Sequence, residues 1–292
     1  MVNIQSELCN GCGICADVCP NYVLVRKDGS PSSKVIVTNS DLCCKCGHCV
    51  LHCPQNAIRH QAIAEEEISR CDNRNIDPAD IEQLMMRRRS TRCFKTEAVP
   101  KDRIERLIEI ATNAGTASNM QSEYFIVIQD QRLINQLEEM TIDILWNKGL
   151  KYATDRSIIG RLLAKRYAPE LVANFKRYHD IIAQRKNAKQ AEGIVFRKAP
   201  CLIVLCGLRQ EHLSPINCAL AIRNMELLAA ADGLGTCWAG LFISASRMDC
   251  KKVNAFLQVD DTHQVFGALM AGYPKYHPER IVRRKPREVR WL

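Results

Sequence analysis

The chain has 292 residues, 47% hydrophobic and 25% charged, with 16 cysteines and a net charge of +9. This is the composition of a soluble globular protein, and the length leaves room for more than one core. It excludes a membrane span: the most apolar stretch, 216–243, is interrupted by Arg223, Glu226 and Asp232.

The first sixty residues carry two matching cysteine runs. Cys9, Cys12, Cys15 and Cys19 precede Pro20, and Cys43, Cys46, Cys49 and Cys53 precede Pro54. Both runs read C-x2-C-x2-C-x3-C-P, which resembles the spacing of bacterial two-cluster ferredoxins. The resemblance implies crossed ligation. Cys9, Cys12, Cys15 and Cys53 would hold one [4Fe–4S] cluster, and Cys43, Cys46, Cys49 and Cys19 the other. Between the runs, 22–38 alternates apolar and polar residues around Asp28-Gly29, the pattern of a hairpin.

The other eight cysteines, Cys44, Cys71, Cys93, Cys201, Cys206, Cys218, Cys237 and Cys250, show no pairing pattern. Unpaired thiols fit a reducing cytoplasm, and no basic-then-apolar leader opens the chain. Residues 61–77 are polar and acidic and read as a linker.

A second pattern begins at Asp77-Pro78, an N-cap followed by proline in the first turn, which predicts a helix over 78–88. Arg88, Arg89, Ser90, Thr91 and Arg92 follow. Three guanidiniums and hydroxyls in five residues suit a phosphate, or equally a solvated helix end. A second helix is predicted from Pro100 to about Ala114, with Ile104, Leu107, Ile108 and Ala111 on one face. The loop Thr116–Gln121 places Asn119 and Gln121 where their amides can meet a heteroaromatic edge or merely serve a polar turn.

Tyr124–Gln129 is predicted as a strand, 131–192 as helices, Cys201–Cys206 as a strand and 215–232 as an apolar helix ending at Gly233. Gly233–Gly240 reads as a glycine-rich turn. It is not a Rossmann fingerprint, because it follows a helix and carries Trp238 where that fingerprint has glycine. Val265–Ala271 is a further strand, and the tail 273–292 is basic and extended. Basic clusters at Arg87–Arg89 and along Arg280–Arg290 lack any accompanying nucleic-acid motif, so a phosphorylated cofactor explains them more economically.

Arg88–Phe94, Thr116–Gln121, Gly233–Trp238 and Gly272-Tyr273-Pro274 together resemble the nitroreductase family of FMN enzymes, over roughly 77–292. One departure is Gly115-Thr116, where that family usually carries Pro-Ser. The resemblance implies an α+β fold, with a ferredoxin-like 2[4Fe–4S] domain at 1–60, a linker at 61–77 and an FMN domain at 78–292 bearing a helical insertion at about 141–195. It implies that Arg88, Arg89, Ser90 and Arg92 surround the FMN phosphate and ribityl chain, joined by Arg280 and Arg284. Asn119 would face the flavin ring with Gln121 behind it. Trp238, Ala239, Gly240 and Leu241 would run along the ring.

The aromatics of the insertion, Trp146, Tyr152, Tyr167, Phe175, Tyr178 and His179, either cover the flavin or pack the helices. The family binds FMN at a dimer interface, so 215–232 would be a homodimer core. Three functions remain open. The first is an oxidoreductase passing electrons from a reduced ferredoxin through the clusters to FMN and a small electron-poor acceptor. The second is an NAD(P)H-fed flavoenzyme using the clusters as outlet. The third is a redox sensor or carrier without a substrate. None requires nucleic acid, a membrane or a protein general base.

Overall fold

The computed structural model describes residues 1–30, 33–72, 74–150, 169–187 and 193–292. The chain divides into two units. One comprises Met1–Asn75 with the loop Thr116–Met120; the other comprises Ile76–Gly115 and Gln121–Leu292.

The first unit is built on a repeat. β1 (Val2–Ile4) pairs antiparallel with β4 (Ile58–His60), and β2 (Leu24–Arg26) pairs with β3 (Val35–Val37). The second pair is the hairpin that the alternation of 22–38 predicts. Two four-residue helices, α1 (Ile14–Asp17) and α2 (His48–Leu51), each start after a glycine in the left-handed region, Gly13 at φ 77° and Gly47 at φ 74°. That conformation costs an L-residue with a side chain and lets each cysteine loop turn sharply into its helix. Val2, Leu24 and Ile58 form the small core, with cysteines of both runs packed against it.

In the second unit, α3 (Pro78–Arg87) starts on the predicted cap: the Asp77 side chain accepts from the Ala79 amide at 2.9 Å. α4 (Lys101–Thr112) buries Ile104, Leu107 and Ala111. The sheet holds β5 (Tyr124–Ile128), β6 (Cys201–Leu208), β7 (Gly235–Trp238) and β8 (His263–Gly272) in the order β5-β6-β8-β7, every pair antiparallel. α5 (Gln131–Leu145), α6 (Pro169–Asn187), α7 (Ser214–Ala231), α8 (Gly240–Met248) and α9 (Cys250–Leu257) complete the described α-helices.

β6 runs through the middle of the core. Leu202, Val204 and Cys206 pack on one face with α5, α8 and α9. Cys201, Ile203 and Leu205 pack on the other with α4 and α7. A strand covered on both sides has no reason to alternate, so CLIVLC reads as an unbroken apolar run.

Two expectations are corrected. The glycine-rich segment after α7 is not simply a turn: Gly235–Trp238 is a strand, because β8 supplies its backbone partners. Two helices, α8 and α9, follow in a segment for which the sequence pattern predicts none. Part of the expected insertion at 141–195, with Tyr152 and Tyr167, lies outside the described residues. Within them, Trp146 stacks on His179 with centroids 4.8 Å apart, which is helix packing. Among the described residues, no helix is long and apolar enough to cross a membrane.

Candidate functional site

In the first unit the eight cluster-type cysteines are free thiols that fall into two sets. Cys9, Cys12, Cys15 and Cys53 line one small cavity, and Cys19, Cys43, Cys46 and Cys49 line another, which Cys44 also borders. Electrostatics draws the same division. Burial raises the Cys15 thiol pKa, with Cys53, Cys9 and Cys12 adding to it as like-charged neighbours. Burial pushes Cys49 up to about 11, with Cys43, Cys46 and Cys19 as its charged neighbours. A cubane takes one thiolate at each of four iron corners, and each small cavity offers four thiols of the two runs. The donor set therefore fits [4Fe–4S] clusters.

Backbone amides point at two of these thiols: Val23 N–H donates to Cys19 Sγ and Ala57 N–H to Cys53 Sγ, each at 3.2 Å. His60, buried on β4, lies 3.4 Å from Cys43 Sγ through Nε2. Burial lowers its pKa below the usual value, helped by the N-terminal ammonium and Lys45.

In the second unit the arginine-rich segment is held in an extended path. Thr91 N–H donates to the Thr236 carbonyl on β7 at 2.8 Å, Lys95 N–H to the Tyr273 carbonyl at 2.8 Å and Lys275 N–H to the Cys93 carbonyl at 3.0 Å. Gly235 makes the approach possible, since a Cβ there would stand 2.4 Å from Thr91 Oγ1. The result is a cavity of about 560 Å³ lined by Arg87–Arg92, Gly233–Thr236, Tyr276 and His277.

Arg88 does not stand as a free cation in that cavity. Its guanidinium pairs with buried Glu226 on α7 at 3.1 Å, and Arg223 reaches the same carboxylate at 3.6 Å. Arg88 Nε is buried without a hydrogen-bond partner among the described residues. That orphaned donor, beside exposed Arg89 and Arg92, fits an anionic group such as a phosphate. Ser90 and Arg92 also act on Cys237 of β7. Burial raises that thiol's pKa, while Arg92, the Ser90 hydroxyl and Arg197 oppose the rise. In the sequence Glu226 stands out only as an acid interrupting an apolar stretch and Cys237 only as an unpaired thiol, and Arg197 carries no signal.

The other expected residues are distributed differently. Ala239 is buried, and its N–H donates to the Ala268 carbonyl at 2.9 Å. Gly240 opens α8, and a Cβ built on it would meet nothing within 4 Å, leaving room for a planar group beside the helix N-terminus. Trp238 is partly exposed and Leu241 half-buried. Asn119 was expected to face a flavin. Its amide instead donates to the carbonyls of Cys44 and Lys45, at 3.2 and 3.1 Å, inside the first unit. Asn119 and Gln121 both hold positive φ, 55° and 47°, the local strain that accumulates at functional loops. Arg280 and Arg284 lie on the exposed tail and do not line the cavity; Tyr276, His277 and Pro278 take that wall.

Residues 85–273 match the Nitroreductase family, and residues 8–58 match the 4Fe-4S dicluster domain. Mouse iodotyrosine deiodinase 1 is 26% identical over 154 residues, 48% of this chain and 54% of the mouse protein. The chain thus spans about half the length of these curated relatives. Among solved structures, a nitroreductase with bound FMN from Desulfitobacterium hafniense aligns with TM-score 0.52 and 18% identity, covering 72% of this chain and 98% of its own. An FMN-dependent nitroreductase from Clostridium difficile aligns with TM-score 0.50 and 16% identity, covering 76% and 100%. At such identity these two likenesses concern the fold alone.

Proposed function

Since the chain belongs to the nitroreductase family and carries a 4Fe-4S dicluster domain ahead of that match, we propose that it is an iron–sulfur flavoprotein oxidoreductase. It takes electrons from a reduced ferredoxin or from NAD(P)H and delivers them to a small electron-poor acceptor, a nitroaromatic, quinone or similar compound. The observation that carries this reading is the pairing, in one chain, of two four-thiol sets with an arginine-lined cavity.

Two [4Fe–4S] clusters would be held by Cys9, Cys12, Cys15 and Cys53 and by Cys19, Cys43, Cys46 and Cys49. Arg88, Arg89, Ser90 and Arg92 would hold the FMN phosphate, with Glu226 fixing the Arg88 guanidinium. The first-turn amides of α8 at Gly240 would donate to the flavin ring, beside Trp238 and Leu241. When bound, the clusters supply single electrons and the flavin links them to two-electron chemistry. The protein's part is to orient these groups, present N–H donors and keep charge near the phosphate. The domain limits proposed are 1–60, 61–77 and 78–292. A homodimer through α7 is supported by Ile216 and Leu220, exposed apolar side chains one turn apart.

The test is anaerobic purification with iron, sulfide and flavin quantitation, then reduction by ferredoxin or by NAD(P)H. About eight irons and one FMN per chain are expected. A protein that binds no flavin from an FMN-saturated buffer sinks the reading. Bleaching by NADH without added ferredoxin selects NAD(P)H as the donor.

A further inference from the structure

The two halves of the first unit superimpose in sequence with an offset of 34. Cys9, Cys12, Cys15 and Cys19 become Cys43, Cys46, Cys49 and Cys53, and Gly13 becomes Gly47. The amide donors obey the same offset, since Val23 N–H to Cys19 Sγ becomes Ala57 N–H to Cys53 Sγ, both at 3.2 Å. Where the first half has Arg26, which pairs with Asp17 at 3.2 Å, the second half has His60. The halves differ here, as they also do at Asn10 against Cys44 and Gly11 against Lys45.

The ring's protonation pattern follows from its partners. His60 Nδ1 accepts the Ala62 N–H at 3.0 Å, so in the neutral ring Nδ1 carries no proton. The proton then sits on Nε2, which lies 3.4 Å from Cys43 Sγ. The side chain is nearly fully buried on β4, at 7% exposure, and the tight turn after it is closed by Ile63 N–H to His60 carbonyl at 3.1 Å. The ring is therefore locked with one N–H aimed at a ligand sulfur.

We propose that His60 is a positioning residue that raises the reduction potential of one cluster, the one held by Cys19, Cys43, Cys46 and Cys49, by donating an Nε2–H hydrogen bond to the Cys43 thiolate. This rests on the reading that those four thiols hold a [4Fe–4S] cluster. Reduction adds one electron, and part of the added charge falls on the ligand sulfurs. An N–H dipole aimed at a sulfur stabilises the reduced form more than the oxidised one. The two clusters of the repeat are thereby made unequal without any change in ligands.

The experiment is an EPR-monitored redox titration of the anaerobically purified whole chain, as wild type, His60→Phe and His60→Gln, with iron and sulfide measured on each. In His60→Phe the midpoint of one cluster falls by about a tenfold change in its one-electron equilibrium, roughly 59 mV, while the other cluster is unmoved. His60→Gln, which keeps an amide N–H in reach, recovers most of that shift. Full cluster content with both midpoints unchanged in His60→Phe overturns the inference. Wild-type protein lacking the second cluster overturns the ligand assignment, and the inference with it. Should His60→Phe lose iron, pulsed EPR on reduced wild type grown with 15N-histidine decides. A histidine nitrogen coupling that disappears in His60→Gln supports the bond, and absence of any coupling overturns it.

Discussion

The two units are stabilised in different ways. The first has a core cluster of three fully buried side chains, Val2, Leu24 and Ile58, with five cysteines of the two runs packed on it. The second buries apolar layers on both faces of a four-stranded sheet, and every residue from Cys201 to Cys206 is at 0% exposure. So small an apolar core offers little against the chain entropy of its unit, and the expectation is that cluster ligation contributes to folding there. The second unit is expected to hold by its packing.

The sharpest way to break this comparison is to remove the iron. Anaerobic chelation, or Cys49→Ser, abolishes amide-exchange protection in β1–β4. The three tryptophans, Trp146, Trp238 and Trp291, all lie in the second unit, so unfolding followed by tryptophan fluorescence stays nearly unchanged. Loss of both signals together would make the units one cooperative body. The converse is Phe196→Ala. Phe196 is fully buried against Phe242, with centroids 5.7 Å apart, and its truncation costs about 3–5 kcal/mol in the tryptophan-monitored transition. The iron–sulfur absorbance should persist.

A smaller effect is expected at Arg103, which ties α4 to the end of α7. Its guanidinium binds the Asp232 carboxylate at 2.7 and 3.0 Å and the Tyr273 hydroxyl at 2.9 Å, and it also donates to the Asp232 carbonyl. Arg103→Ala should lower the stability of the second unit by about 2 kcal/mol, read from its denaturant midpoint. Asp260 gives the smallest effect. Hydrogen bonds from Thr262 and His263 hold its carboxyl well below the ordinary range. A depressed folded pKa stabilises above the unfolded value of about 3.9 and is lost as pH falls through the folded one. Between pH 5 and 3, wild type should therefore lose more stability than Asp260→Asn; equal slopes would assign the acid sensitivity elsewhere.

Local patterns were legible in the chain wherever the chemistry is local. The Asp77-Pro78 start, the hairpin over 22–38 and the apolar faces of α4 and α7 appear as periodicity or cap residues. β7 was not legible, because Gly235–Trp238 is extended only through pairing with β8. The fates of Asn119 and of Arg280 and Arg284 were not legible either. Motif order says that such residues occur, but not which carbonyl an amide will reach or where a tail will run.

The sequence by itself determined the two cysteine loops and their donor chemistry, since each set draws three thiols from a single seven-residue stretch and ligand type is written in the residues. Only the tertiary structure decided that Arg88 meets Glu226, 138 residues away, and that His60 aims one N–H at Cys43. Both depend on which strands and helices are packed side by side, and contacts of that range leave no periodicity in the chain.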